Sequence, residues 1–238
     1  MKRISYSKIN SFITCPLKYQ FQYVEKLSGD PASSSSAQLG KYIHEVLEHW
    51  REGLDIVEVS KLFESKYVIA DEEKEVIPRL LENAKDLYVP YQGRMFESEF
   101  KLEHTLMING EEVVINGIID KMYTLPENKY AVIDFKTGRT KSDNSLQMKF
   151  YVYLLWKEKG FLPEDISCKV YYLRTKQTVT YEFDQATINE FENWLLTMNE
   201  LIDQVSKYKH NFSSACNYCQ FRNTNCVPYK IKKDKYGS

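Results

Sequence analysis

The run Ala131-Val132-Ile133-Asp134-Phe135-Lys136-Thr137-Gly138-Arg139 constrains this chain more than any other stretch. Its leading apolar residues read as a strand buried in a sheet, and the two-residue period of a strand puts Asp134 and Lys136 on one face. Taking charges out of water is costly unless they are paired or bind an ion. Opposite charges at the end of a core strand therefore form a structural ion pair or a reaction site.

A second segment bears on that choice. Asn116-Gly117-Ile118-Ile119-Asp120 is also strand-like and ends in an acid, and the turn Pro126-Glu127-Asn128 separates it from the first run. The two read as an antiparallel hairpin, which sets Asp120 beside Asp134 and Lys136. Upstream, Asn109-Gly110 is a strong hairpin signal joining Glu99–Met107 to Val113–Tyr123. Glu99 can then face the same cleft in a supporting role.

Composition narrows the setting. A chain of 238 residues can bury one substantial core, and residues 1–238 are read as a single domain. The formal net charge of -1 announces no nucleic-acid binder in bulk, so any such surface must be local. The basic tail Lys230-Ile231-Lys232-Lys233-Asp234-Lys235 reads as a frayed terminus. No apolar run is long enough to cross a bilayer, and the start Met1-Lys2-Arg3-Ile4-Ser5-Tyr6 lacks a leader, so a soluble, cytoplasmic protein without membrane contact is expected.

In chain order, Ser5–Leu27 carries a helical pattern with Pro16 in the first turn of a second helix, and Ser28–Ser36 reads as a mobile loop. Gly40–Trp50 is an amphipathic helix with His44 beside its apolar stripe. Leu54–Tyr91 is helical in character, with Pro78 marking a break or a start, and residues 54–93 are taken as an insertion packed on the core that carries no chemistry. Ser142 or Asp143 can cap a helix running to about Lys159, on which Gln147 and Tyr151 point the same way. Ser167–Phe183 reads as a hairpin, with Cys168 as a small buried residue, and Asp184 caps a helix through about Tyr208. These elements predict an α/β fold, a central mixed sheet flanked by helices.

Cys216-Asn217-Tyr218-Cys219, followed by Cys226, brings three thiolates near enough to share a metal or cluster, and Cys15 is the natural fourth ligand. Without a leader, disulfides are disfavoured. Spacing does not separate zinc from iron-sulfur. Either would clasp residues 1–27 to 210–230.

The ordered set of His44, Gly117 to Asp120, Asp134-Phe135-Lys136 and Gln147 with Tyr151 resembles the PD-(D/E)XK nuclease superfamily. Together with the split cysteines and Ser5-Tyr6-Ser7-Lys8-Ile9, it most resembles the RecB-like branch, including the CRISPR-associated adaptation nuclease and the AddB nuclease domain. The insertion carries none of the resemblance. The resemblance implies a restriction-endonuclease-like core and a four-iron (4Fe-4S) cluster on Cys15, Cys216, Cys219 and Cys226, with structural zinc as the alternative.

It further implies a divalent-metal-dependent deoxyribonuclease, an exonuclease acting on single-stranded or end-containing DNA. Mg²⁺ or Mn²⁺ would be held by His44, Asp120, Asp134 and the Phe135 carbonyl. Lys136 would position or deprotonate the water, with Asp120 and Asp134 completing the catalytic set, and Gln147 and Tyr151 would hold the substrate phosphate. A protein partner in recombination or CRISPR adaptation fits the same resemblance. The alternative is a catalytically silent DNA-binding or scaffolding subunit, which the intact acids and lysine disfavour.

Overall fold

Three hairpins and one crossover build a six-stranded mixed sheet of order β1-β3-β4-β5-β6, with β2 also paired to β3. The computed structural model describes residues 2–30, 35–138 and 142–230. Arg139 and the basic tail beyond residue 230 fall outside the described residues, as do residues 31–34 of the expected loop. The hairpin of β2 (Phe96–Ile108) and β3 (Glu111–Thr124) turns at Asn109-Gly110, both with positive φ (51° and 82°), the backbone a tight two-residue turn requires. β4 (Tyr130–Lys136) returns antiparallel on β3. Helix α7 (Ser145–Lys159) crosses over to β5 (Ile166–Tyr172), parallel to β4, and β6 (Gln177–Glu182) closes the third hairpin. The first strand, β1 (Lys2–Ser5), was not expected: it precedes the helical pattern and shares only Ser5 with it, and four residues are too few for a period to show.

Contacts divide the chain into two compact units, one of Met1–Arg3 with Ser35–Glu192 and one of Ile4–Ser34 with Asn193–Ser238. In the first, Ala131, Ile133 and Phe135 of β4 join α3 (Ser35–His49), α4 (Ile56–Lys61) and α6 (Ile77–Tyr88) in one apolar cluster. Each large side chain buried there contributes about 1.5–3 kcal/mol. The insertion holds α4, α5 (Asp71–Lys74) and α6, with Pro78 in the first turn of α6, where its missing N–H is not needed. Helix α3 begins at Ser35, inside the segment read as a loop.

The even residues of β4 face α7. That helix is buried on most of its circumference, with Met148, Phe150, Val152, Tyr153, Leu154 and Leu155 all inside, as suits a core helix. It comes close because β3 has a glycine: a Cβ on Gly117 would lie 2.9 Å from Leu154 Cδ1. Asn144 stands at the N-cap position, and Gly160 ends the helix in the left-handed conformation.

The second unit begins with α1 (Tyr6–Thr14), whose first turn Ser5 caps by accepting from Lys8 N, and α2 (Pro16–Tyr19). Leu17 N donates to Lys209 O, Asp30 N donates to Gln220 O, and Phe21 packs edge-on against Phe221. The two ends of the chain thus meet within one unit. Helix α8 (Gln185–Gln204) stops four residues before Tyr208. No described helix is long and apolar enough to cross a membrane.

Candidate metal centre and active site

The site forms where two strands part. Pairing of β3 with β4 runs from Thr124↔Tyr130 to Lys121↔Ile133 and then stops. One residue on, Asp120 Oδ2 accepts the Phe135 N–H at 2.8 Å, satisfying a donor that the ladder no longer pairs. Across the other edge, β2 and β3 pair at Ser98↔Lys121 and Phe100↔Ile119 but skip Glu99, whose φ is +47°. A non-glycine residue held there costs on the order of 1–3 kcal/mol and marks a place to look for function.

His44 reaches the same point from α3. Its Nε2 lies 3.0 Å from Phe135 O, and its Nδ1 lies 3.3 Å from Asp120 Oδ1. Ligand atoms of His44, Glu99 and Asp120 all lie within 4.8 Å of one another, the one such set among the described residues. They line an open cleft together with Lys41, Glu45, Glu48, Lys66 and Tyr67.

Asp134 is 1% exposed and faces α7. Lys136 Nζ stands 2.7 Å from its Oδ2, and Gln147 Nε2 donates to its Oδ1 at 2.7 Å. Lys136 Nζ also donates to Gln147 Oε1 at 2.9 Å, while Gln147 Nε2 donates to Tyr151 Oη at 2.7 Å. The polar ends of Gln147 and Tyr151, expected to meet substrate, are here turned on Asp134 and on each other, and both side chains are buried.

The charges are mutually perturbing. Burial alone would lower the His44 pKa, but the Asp120 carboxylate outweighs it and pushes it up to about 9. Burial works to raise Asp120, yet His44 and the Phe135 N–H hold it below the usual range. Asp134 is raised, by burial first and by the nearby Asp120 charge second, and Glu99 is raised for the same two reasons. Crowded carboxylates of this kind are relieved by a cation. Two hard oxygens and an imidazole nitrogen suit Mg²⁺ or Mn²⁺, so the residues present fit a divalent metal. Sequence reasoning gave Glu99 only a supporting place because nothing in the local pattern signals a strained strand residue.

In the second unit, Cys15, Cys216, Cys219 and Cys226 line one concavity, and all are free thiols. Asn211 N donates to Cys15 Sγ, and Cys216 Sγ donates to Asn211 O. Cys168 is buried in β5, where burial pushes its thiol far up, as an inert core residue requires.

Among curated proteins none matches the chain. The solved structure named "Putative exonuclease" from Eubacterium rectale matches with a TM-score of 0.58 at 11% identity, covering 100% of this chain and 94% of that one, a likeness of fold. The structure of SSO0001 matches with a TM-score of 0.46 at 17% identity, over 94% of this chain and 86% of that one. The sequence pattern of one family spans residues 3–224, nearly the whole chain, and with it come the mixed sheet and the acid-lined cleft: the chain belongs to the PD-(D/E)XK nuclease superfamily, hydrolases of nucleic acids that use divalent metals.

Proposed function

We propose that the chain is a deoxyribonuclease of the RecB-like branch, an exonuclease acting on single-stranded or end-containing DNA. The observation that carries this is the meeting of His44, Glu99 and Asp120 at one point, beside the Asp134–Lys136 pair. His44, Glu99 and Asp120 would hold Mg²⁺ or Mn²⁺, with Asp134 and the Phe135 carbonyl completing the surroundings. When bound, the ion takes up charge on the phosphoryl oxygens and acidifies a water. Lys136 would orient that water as an ammonium or, once it has given up its own proton, take the water's proton as the neutral amine, and Gln147 keeps Nζ aimed by accepting from it at 2.9 Å. Gln147 and Tyr151 act through Asp134, and either can turn toward a phosphate once substrate is present.

The cysteine quartet is read as a 4Fe-4S site. Four thiols gathered in one concavity from the two ends of the sequence support a shared cluster, with structural zinc as the alternative. Recombination, repair, phage or CRISPR adaptation pathways in the cytoplasm, with a protein partner, fit such an activity.

The test is incubation of anaerobically purified protein with end-labelled single- and double-stranded DNA, with Mg²⁺, with Mn²⁺ and with chelator, following product length over time. Processive shortening that needs the metal and is lost in Asp134→Ala and Lys136→Ala supports the proposal. Binding without cleavage under every metal condition would instead identify a silent DNA-binding subunit.

A further inference from the structure

The cleft that holds His44, Glu99 and Asp120 has another wall, built by the helical insertion. Lys66 ends the 3₁₀ turn Glu64–Lys66, and Tyr67 follows it. Lys66 Nζ donates to Glu45 Oε1 and Tyr67 Oη donates to Glu45 Oε2, each at 2.5 Å. Glu45 follows His44 on α3 and lines the same cleft. Two donors from consecutive residues therefore converge on the two oxygens of one anion.

We propose that Lys66 and Tyr67 are a phosphate-binding pair for the nucleic-acid strand, occupied in the substrate-free protein by the Glu45 carboxylate as an internal stand-in. The proposal rests on the nuclease reading above. A phosphodiester, like a carboxylate, offers two anionic acceptor oxygens to such a pair. The cleft also needs cations: Glu45, Glu48, Glu99 and Asp120 line it against Lys41, Lys66 and the His44 imidazole among the described residues, so carboxylates outnumber cations and a polyanion entering it is repelled unless positive charge is freed. Lys66 is 60% exposed, and an exposed ion pair contributes little, so a strand can take its place. The ring of Tyr67 rests edge-on against buried Tyr42 at 5.9 Å, which keeps its hydroxyl aimed into the cleft.

The experiment measures affinity of the whole protein for a fluorescent single-stranded oligonucleotide in chelator, by anisotropy across a salt series, with cleavage of end-labelled DNA in Mn²⁺ run alongside. Glu45→Gln should bind tighter by up to about 5-fold, the fold-change equivalent of an exposed ion pair. Lys66→Met should weaken binding by a similar factor and flatten the salt slope by about 0.7. The Glu45→Gln gain should vanish in the Lys66→Met background, and Tyr67→Phe should weaken binding. A clamp that only braces the fold predicts the opposite sign, so unchanged or weaker binding by folded Glu45→Gln overturns the proposal. If that variant does not fold, the Lys66→Met and Tyr67→Phe arms decide, and unchanged affinity in both overturns it. Wild-type protein that cuts while its affinity ignores Glu45 and Lys66 sinks the pair but leaves the nuclease reading standing. Protein that never cuts but shows these shifts does the reverse, and protein that binds no oligonucleotide sinks both.

Discussion

The backbone N–H of Phe135 donates to Asp120 Oδ2 at 2.8 Å, so the strand that carries Asp134 and Lys136 also holds the acid of its neighbour. This tie separates two roles of Asp120. Asp120→Asn keeps an oxygen for the Phe135 N–H but loses the negative charge that a cation needs. Asp120→Ala loses both and leaves a buried donor unpaired, which costs about 1–3 kcal/mol. Both variants should lose at least about 100-fold in cleavage, the scale of removing a group that stabilises developing charge. Only the alanine should lower the urea midpoint appreciably. Equal unfolding midpoints for the two would show that the hydrogen bond contributes nothing to stability.

Gln147 sits between the lysine and the acid, accepting from Lys136 and donating to Asp134 and Tyr151. Gln147→Glu replaces the donor to Asp134 with a second buried carboxylate. It should destabilise the fold by roughly 1–3 kcal/mol and reduce kcat more than KM. Gln147→Met, which removes the polar group without adding charge, should be milder in stability yet still slow. Steady-state cleavage with urea unfolding on each variant checks both halves. A change confined to KM would instead mean that Gln147 contacts substrate directly.

Lys121 follows Asp120 but points to the opposite face, into the apolar cluster, 1% exposed. Its Nζ donates to Trp50 O at 3.3 Å and lies 4.7 Å from the centre of the Phe96 ring. Burial first, and the charge of Arg51 second, lower its pKa to about 8. The unfolded chain, at about 10.4, therefore binds more protons between those values, so stability rises with pH across that window and the full penalty stands below about 8. Lys121→Met should be the more stable protein at pH 7 by roughly 1–3 kcal/mol, with the difference closing as pH approaches about 10.4. Urea unfolding of both proteins from pH 7 to 10 measures it, and a constant difference would refute the assignment.

Much of this site was legible in one dimension. Alternation and a short turn set the β3–β4 hairpin, and with it Asp120 beside Asp134, because register follows from a two-residue period. Helical spacing put Gln147 and Tyr151 on one face but could not say which partner they would choose, and the structure gives them Asp134. What escaped is long-range or conformational. The positive φ of Glu99 has no sequence signature in a glutamate, and the place of Tyr67 in the cleft depends on a partner 22 residues away. The insertion, read as carrying no chemistry, supplies that wall.

The insertion also reaches the residue after Lys136, through Arg174. Arg174, in the turn after β5, donates through Nε to Thr137 O at 2.7 Å and pairs through Nη2 with Glu73 of α5, whose side chain is 10% exposed. Arg79 of α6 in turn donates to Arg174 O. The Arg174 guanidinium fork thus links α5 of the insertion to the backbone that follows the lysine, and Arg79 of α6 braces Arg174 through its backbone oxygen. Arg174→Met would take the guanidinium from the largely buried Glu73 carboxylate and should cost up to about 3–5 kcal/mol, whereas the double variant with Glu73→Gln should recover a good part of that. Arg174→Lys is the sharper probe. It keeps the charge beside Glu73, but a single ammonium cannot reproduce the fixed fork to both Glu73 and Thr137 O. Stability should then fall by less than about 2 kcal/mol, while kcat drops by about 10-fold at unchanged KM, since a small displacement of the group that handles the water slows the step without weakening binding. Wild-type kcat in folded Arg174→Lys would show that Lys136 is held in place without the insertion.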